Sequence, residues 1–448
     1  MRLRRWLQPG MGVKRWLLTV FAGLLVLAMG GAQFIRQVTK DLEPGGAAQT
    51  VVDFLTLQFL PFAVRGVLTG AIGVALVLVG AWRLARNLTQ PLRVDEETPL
   101  ADVIYQKRFL AKGPRIVAIG GGTGLATLLR GLKQHTSNIT AIVTVADDGG
   151  SSGALREELG IPPVGDIRNC IAALADAEPL MSELLGYRFP GGTRVEGEPV
   201  ETQPGGLGGH PVGNLLIAAL TALEGGDFEE GVRRMNRVLA VRGMVVPASA
   251  TPINLVARTR DGVTVTGQSV IMRTRSIERV FIEPSDVRAS DDALAAIAEA
   301  DLVVLGPGSL YTSVLPVLLI PDIRRAVADA PGMRIYVANV AMQRGETEGY
   351  DLADHVEALV ANTQPDLVDL VLGNDQADSA DGAEPVSVDA VRARWPPAVD
   401  PVPHLVTDTV ANPEAPHHHD PERLAAAILR AWEREGSAVR RERTARIA

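Results

Sequence analysis

Glycine-rich loops that follow short apolar runs are the features of this sequence best suited to chemistry. The first loop consists of Gly120, Gly121, Gly122, Thr123 and Gly124. It separates an apolar run at 115–119 from a helical pattern at 125–134, so its glycines and free N–H groups could hold a phosphate. No Gly-Lys-Ser/Thr of a Walker A loop follows, and Leu125 replaces the third glycine of a dinucleotide fingerprint. A phosphate site is predicted, with a tight turn as the structural alternative.

An acidic loop follows the next apolar run, at 139–145. Its candidate ligand-binding residues are Asp147, Asp148, Gly149, Gly150, Ser151 and Ser152. Carboxylates at this place could accept ribose hydroxyls or hold Mg²⁺ on a phosphate, and the serines could cradle an anion. We therefore predict Asp147 and Asp148 as candidate Mg²⁺ ligands, although turn chemistry alone could explain the run.

Further polar loops precede helical patterns or follow apolar runs. Two of them, at 162–169 and 208–215, contribute Asp166, Asn169, His210 and Asn214. Helix capping could explain Asp166 or Asn214, and His210 could be a general acid or a hydrogen-bonded spacer. A third, at 305–313, predicts a second anion site through Gly306, Gly308, Ser309 and Thr312. The sequence assigns no catalytic residue.

A later loop and a histidine run complete the candidates. After the apolar run 333–338, the candidate residues are Gly345, Glu346 and Thr347, which either face a ligand or begin a helix. The run His417–His419 suggests a metal, but three adjacent side chains cannot all point one way, so a solvated loop is favoured.

The order of these elements predicts how they are positioned. The runs 115–119 and 139–145 flank a helix, which is a βαβ unit with a parallel sheet and a right-handed crossover. Because ligands of open α/β sheets bind outside the carboxyl ends of strands, the loops should converge on one crevice. We expect an antiparallel excursion over about 245–285, around Asp261-Gly262, and a flexible segment over about 375–415.

The N-terminal region is predicted to form a membrane hairpin over residues 1–90. Its helices would span about 16–35 and 62–82, which are long and largely uncharged. Basic residues precede the first span and follow the second, so the positive-inside rule places both ends in the cytoplasm of a multi-pass membrane protein. A cleaved signal peptide at 1–32 is the alternative.

The rest of the chain is predicted to form a juxtamembrane linker at 91–113 and one domain at 114–448. Its charge and its cysteine content exclude some classes of function. Residues 1–110 contain 13 of the 44 Lys and Arg residues and 7 of the 52 Asp and Glu residues. The rest of the chain therefore has 31 basic and 45 acidic residues and is acidic. An acidic domain without a basic stripe argues against nucleic-acid binding. The single cysteine, Cys170, excludes an intrachain disulfide and suits a reducing compartment.

Six ordered motifs carry a resemblance to a known family. They read GGGTGL, ADDGGSSG, PPVGDIRN, GHPVGNLL, GPGSLYTSVLP and NVAMQRGETEGY. Over about 114–375 and the last helix, the chain closely resembles the YvcK-type gluconeogenesis factor family, which forms a superfamily with CofD, the 2-phospho-lactate transferase. The resemblance implies a three-layer, Rossmann-like α/β fold with a mostly parallel sheet. The membrane hairpin and Gln343-Arg344-Gly345, which stands where a Thr-Gln-Pro-Gly-like run is usual, depart from the pattern.

The resemblance also implies a function. Proteins of the YvcK type bind UDP-sugars, notably UDP-N-acetylglucosamine, and link gluconeogenic growth to cell shape and envelope synthesis, with no established reaction. A regulatory, membrane-anchored nucleotide-sugar-binding factor is therefore expected, with homo-oligomerisation left open. The alternative is a CofD-like, Mg²⁺-dependent transferase that uses a nucleotide diphosphate donor. A nicotinamide-dependent oxidoreductase is disfavoured by the broken fingerprint.

Overall fold

The computed structural model describes residues 109–190, 207–375, 384–393 and 395–447, with isolated positions nearer the N-terminus. The chain divides into two compact units, 1–109 and 110–448, and the elements below belong to the second. Among the described residues, none of the helices combines the length and apolar character needed to cross a bilayer. The predicted spans at 16–35 and 62–82 lie almost wholly outside the described residues.

Ten strands are present in the described part of the chain. They are β1 (Ile116–Gly120), β2 (Ile139–Val143), β3 (Met244–Pro247), β4 (Asn254–Thr259), β5 (Thr264–Thr266), β6 (Ile277–Glu283), β7 (Leu302–Leu305), β8 (Met333–Val337), β9 (Leu370–Asn374) and β10 (His404–Asp408).

Five helices follow β2 in succession, and from β6 onward helices and strands mostly alternate. The helices are α1 (Gly122–Leu132), α2 (Gly150–Leu159), α3 (Gly165–Leu174), α4 (Glu178–Gly186), α5 (Val212–Leu223), α6 (Phe228–Val238), α7 (Gln268–Ile271), α8 (Asp291–Glu299), α9 (Leu315–Leu318), α10 (Pro321–Asp329), α11 (Leu352–Asn362), α12 (Asp389–Ala393) and α13 (Pro421–Ile447). A π-helical turn, Leu310–Val314, leads into α9.

Seven strands form one parallel sheet in the order β10-β9-β8-β7-β1-β2-β3. The predicted α/β fold with a mostly parallel sheet is therefore confirmed. All five residues of β1 are buried, as expected for a central strand that is covered on both faces. The chain leaves β1 for β2 on one side and later returns to β7 on the other, so the strand order reverses at β1 and β7. Such a switch point is where open α/β sheets bind ligands.

Helix α1 illustrates how the sheet is covered. Leu125, Leu128, Leu129 and Leu132 are buried at helical spacing, and each contributes roughly 1.5–3 kcal/mol by its removal from water. The helix packs against α3 and α13. At Gly131 an added Cβ would collide with the carbonyl of Pro421, so the small residue permits the close approach of α13.

A second, three-stranded antiparallel sheet has the order β5-β4-β6. Strands β4 and β5 form a hairpin around Asp261-Gly262, and β6 pairs with the other edge of β4. The expected excursion over about 245–285 thus differs at its start, because β3 belongs to the main sheet.

The segment expected to be flexible over about 375–415 contains two regular elements. Helix α12 lies within it, and β10 pairs with β9 in parallel along its whole length. All five residues of β10 are only partly buried, which is typical of an edge strand. Residues 376–383 of this segment lie outside the described residues.

Candidate functional site

A cavity of about 1060 Å³ opens at the carboxyl ends of the central strands. The loops after β1, β2, β7 and β8 all contribute to its wall. The lining residues are Gly121, Gly122, Thr123, Gly124, Thr127, Asp147, Asp166, Gln268, Met272, Arg275, Gly308, Ser309, Thr312, Ser313, Asn339, Val340, Ala341, Met342, Gln343, Arg344, Glu348, Glu384, His417, His418 and His419.

The loops after β1 and β7 lie directly against each other at the switch point. An added Cβ on Gly124 would lie 2.7 Å from the carbonyl oxygen of Pro307 and 3.0 Å from Cα of Gly308. Gly122 has a φ of +64°, which favours glycine, and Ser313 is its nearest neighbour from the other loop. Close packing of two backbones therefore explains these glycines, in addition to any approach of a ligand.

Two carboxylates lie side by side in the cavity wall, although the sequence separates them by a whole helix. Asp147 follows β2 and Asp166 lies in the first turn of α3. An added Cβ on Gly121 would lie 2.5 Å from Oδ2 of Asp166, so only glycine leaves room for this side chain. Burial and then the negative charge of Asp147 raise the pKa of Asp166 to about 6, while a Gly122 backbone hydrogen bond and Arg168 act in the opposite direction.

The side chain of Asp148 points away from the cavity. This differs from the prediction that Asp147 and Asp148 together are candidate Mg²⁺ ligands. One of its carboxylate oxygens, Oδ1, accepts hydrogen bonds from N and Oγ of Ser269, at 2.9 and 2.6 Å. Asp148 therefore fastens the α2 loop to α7 and is outside the cavity lining. Adjacent residues in an extended segment point in opposite directions, so only one acid of the pair can face the cavity.

The two carboxylates of the cavity would fit Mg²⁺ if a bound ligand supplied further oxygen atoms. Among the described residues, no group of three or more His, Cys, Asp or Glu side chains could hold a metal. Mg²⁺ is commonly held by one or two carboxylates together with substrate phosphates and water. Asp147 and Asp166 match that arrangement, and a cation between them would favour the ionised form of Asp166, whose pKa is raised by burial and then by the charge of Asp147.

The loop after β8 is joined to the loop after β7 by side-chain hydrogen bonds. Nε2 of Gln343 donates to Oγ of Ser309 at 2.8 Å, and Oε1 of Gln343 accepts from Nδ2 of Asn339 at 3.3 Å. Beneath them, Oε1 of Glu346 is hydrogen-bonded to Oγ1 of Thr312. Burial raises the pKa of Glu346 to about 7, although this hydrogen bond and nearby backbone N–H groups favour its ionised form.

Ser151, His210 and Asn214 form a separate buried network beside the cavity. Oγ of Ser151 lies 2.8 Å from Nδ1 of His210 and accepts from Nδ2 of Asn214 at 2.9 Å. The amide oxygen of Asn214 accepts from Arg168, which also donates to Asn169 at 2.8 Å. This geometry supports a role for His210 as a hydrogen-bonded residue that joins α2 to α5.

The structure brings nine of the predicted site residues to one cavity. These are Gly121, Gly122, Thr123, Gly124, Asp147, Asp166, Gly308, Ser309 and Thr312. The predicted residues outside its lining are Gly120, Asp148, Gly149, Gly150, Ser151, Ser152, Asn169, His210, Asn214, Gly306, Gly345, Glu346 and Thr347. Several of these support the wall, as Ser152 does by accepting from the N–H of Gly165 at 3.1 Å.

Other lining residues were not among the predicted site residues. Gln268, Met272 and Arg275 come from α7 and the residues after it, and nothing in the sequence places that segment near β1. The run His417–His419 also lines the cavity. His419 is buried with Nε2 3.2 Å from the carbonyl of Ala338, and burial lowers its pKa to about 4, so it anchors the run. His417 and His418 are exposed, as the sequence favoured.

The family model described as 2-phospho-L-lactate transferase CofD matches residues 116–399. A gluconeogenesis factor from Halalkalibacterium halodurans is 46% identical over 285 residues, which cover 63% of this chain and 82% of the relative. One from Bacillus subtilis is 47% identical over 268 residues, 60% of this chain and 80% of the relative. The crystal structure of a Bacillus halodurans protein, 41% identical, superposes with a TM-score of 0.63 over 71% of this chain and 99% of that one.

Proposed function

We propose, from the premise that the chain belongs to the CofD family, that it binds a nucleoside diphosphate sugar of the UDP-N-acetylglucosamine type. The ligand-bound protein would act as a regulatory factor that links gluconeogenic growth to cell shape and envelope synthesis. Similarity to proteins named gluconeogenesis factors supports the gluconeogenic part of this proposal.

The observation that carries the proposal is the meeting of two glycine loops and two carboxylates in one cavity. Residues Gly121–Gly124 would take the diphosphate with their N–H groups and Thr123. Asp147 and Asp166 would hold Mg²⁺ on the phosphates or accept the ribose hydroxyls. The hydroxyls of Ser309 and Thr312 would bind the sugar or the remaining phosphate oxygens.

Calorimetry of the full-length chain in mild detergent tests this function. UDP-N-acetylglucosamine should bind, and NAD and a GDP-linked donor should bind more weakly or not at all. Asp166→Asn should weaken binding in Mg²⁺, whereas Asp286→Asn, an exposed carboxylate outside the cavity lining, should not. Failure of the wild-type chain to bind any UDP-sugar would refute the proposal.

A CofD-like transferase is the second candidate function. It is favoured by the family match and by the acidic pair, since a bound Mg²⁺ would neutralise the charge of a nucleotide diphosphate leaving group. Incubation of the chain with such a donor, a deazaflavin acceptor and Mg²⁺ tests it. Turnover that is lost in Asp166→Asn would place this reaction ahead of regulation.

We also propose that the chain is anchored in the cytoplasmic membrane, with the cavity-bearing unit in the cytoplasm. The largely uncharged runs at 16–35 and 62–82 and the basic residues outside them support this arrangement. Carbonate extraction of membranes should leave the full-length chain in the pellet. Protease added to intact spheroplasts should spare the unit that begins at Leu110, and its digestion would contradict the orientation.

A further inference from the structure

Glu346 occupies a position that the sequence suggests for a ligand anion. Its side chain reaches under the loop after β7, where Oε1 is hydrogen-bonded to Oγ1 of Thr312. The backbone N–H groups of Tyr311 and Thr312 also lie near enough to this carboxyl group to favour its ionised form. The donors of this predicted anion nest therefore face a carboxylate of the chain itself.

This carboxyl group is poorly compensated. Glu346 is only 3% exposed, and its Oε2 is buried without a hydrogen-bond partner. Among the described residues, no Lys or Arg nitrogen forms an ion pair with it. A buried carboxylate without a cation is costly, and protonation is the ordinary way to remove that cost.

Thr312 lies between this buried group and the cavity. It is among the lining residues although its exposed fraction is 0%, so its hydroxyl would meet a ligand only where that ligand packs directly against the loop after β7. A hydroxyl has one hydrogen to donate. When Glu346 is ionised, Thr312 must donate that hydrogen to Oε1, so it can only accept from a ligand. When Glu346 carries a proton on Oε1, the carboxyl group donates to Oγ1 of Thr312, and the hydroxyl hydrogen becomes free for a phosphate or sugar oxygen.

We propose that Glu346 is a positioning residue that takes up a proton when a phosphate-bearing ligand enters the cavity, and so turns Thr312 into a donor. This inference rests on the proposed nucleotide-sugar binding and adds a proton dependence to it. Neither the family match nor the similarity to gluconeogenesis factors assigns such a role to this residue.

The charged groups next to Glu346 do not offer another source for the effect. Asp166, whose pKa is raised to about 6, lines the same cavity with His417 and His418, so these groups add to the pH dependence of wild type and variant alike. On its own segment, Arg344 and Glu348 are exposed. From the segment after α7, Arg275 pairs with Glu348 at 2.9 Å. From the loop after β7, the hydroxyl of Tyr311 is hydrogen-bonded to that of Tyr350, and burial raises the pKa of Tyr311 far above neutrality.

The sign of the pH dependence follows directly. Burial raises the pKa of Glu346 to about 7, so the fraction that is neutral falls between pH 6 and pH 8.5. The ionised form repels a phosphate and withdraws the Thr312 donor. Affinity should therefore fall as pH rises, by about tenfold at most for each pH unit when one proton is linked to binding.

Glu346→Gln tests the proposal with a nearly isosteric side chain. A glutamine amide can always donate to Oγ1 of Thr312, so it imitates the protonated acid. Titration of the full-length chain in detergent with UDP-N-acetylglucosamine, in a chelator and from pH 6 to pH 8.5, should show declining affinity in the wild type. The affinity of the variant should fall less steeply across that range, because only the contribution of Asp166 and the other cavity groups remains. Glu357→Gln, an exposed carboxylate on α11, should behave like the wild type.

Calorimetry in two buffers of different ionisation enthalpy gives a second readout, the number of protons taken up on binding, for both the wild type and Glu346→Gln. Near pH 7.5 the wild type should take up a larger fraction of a proton per ligand bound than the variant. Identical pH profiles for wild type and Glu346→Gln, or equal proton uptake by the two proteins, would overturn the role of Glu346 while leaving ligand binding intact. Absence of UDP-N-acetylglucosamine binding at every pH would instead overturn the proposed function, and this inference with it.

Discussion

Removal of the Asp166 charge should stabilise the protein while it weakens the proposed Mg²⁺ site. The pKa of Asp166 rises from 3.8 to about 6, chiefly because the side chain is buried and secondly because Asp147 lies nearby. A carboxyl group with a raised folded-state pKa leaves stability intact below the unfolded-state pKa, and stability is lost as pH rises through the folded-state value. The loss should thus develop between about pH 4 and pH 6.

The size of this effect follows from the shift. About 2 pH units correspond to about 3 kcal/mol, and partial contact of the side chain with the solvent-filled cavity reduces this to about 1–3 kcal/mol. Asp166→Asn keeps the shape of the side chain and removes its charge. In a chelator at pH 7.5, the variant should therefore have a free energy of unfolding about 1–3 kcal/mol above that of the wild type.

Urea denaturation of the full-length chain at pH 7.5 and pH 4 measures the difference. The two proteins should be nearly equal at pH 4, where wild-type Asp166 is neutral in the folded state, and should separate at pH 7.5. Asp286→Asn provides an exposed carboxylate control at both pH values. If Asp166→Asn were equally or less stable than wild type at pH 7.5, the argument that burial and Asp147 disfavour its charge would fail.

Three further substitutions test separate parts of the structure. Gly124→Ala places a Cβ against Pro307, so overpacking should lower the free energy of unfolding by about 1–3 kcal/mol and should also lower ligand affinity. In the control Gly186→Ala, the added Cβ meets no atom within 4 Å, and the melting temperature should be unchanged. Asp148→Asn should lower the free energy of unfolding by about 1 kcal/mol through weaker Ser269 bonds and leave Mg²⁺ binding intact, as calorimetry can check. Arg334→Met removes the guanidinium that pairs with the buried Asp369 carboxylate at 2.7 Å, and it should lower the free energy of unfolding in urea by about 3–5 kcal/mol. Arg258→Met, in an exposed pair, should lower it by less than about 1 kcal/mol.

The central strands were predictable from the sequence because their residues are buried on both faces of the sheet. Strands β1, β2, β7 and β8 are buried along nearly their whole length, and uniform burial selects continuous apolar β-branched runs. Strand β3 has only four residues and ends in a proline, and the edge strand β10 is only partly buried. Neither strand has a distinctive run, because its place depends on pairing with a strand that is distant in the chain.

The candidate site was predictable as a set of loops but not as a set of side chains. Parallel strands bring their following loops to one edge, so convergence follows from the fold class. The choice between Asp147 and Asp148 depends on which of two adjacent side chains turns inward, and Ser269, 121 residues away from Asp148, holds the latter outward. The same holds for Glu346, whose burial beneath Thr312 depends on the packing of two loops that the sequence does not relate.

Asp166 and Glu346 should respond to a bound ligand in opposite directions. A cation between Asp147 and Asp166 favours the ionised acid and would release a proton, whereas a phosphate near Thr312 favours neutral Glu346 and would take one up. Their raised pKa values, about 6 and about 7, overlap in the same pH range. Binding of a Mg²⁺–diphosphate sugar between pH 6 and pH 7 should therefore exchange fewer protons with the buffer than binding of the free ligand in a chelator. Equal proton uptake with and without Mg²⁺ would mean that the metal does not sit between Asp147 and Asp166.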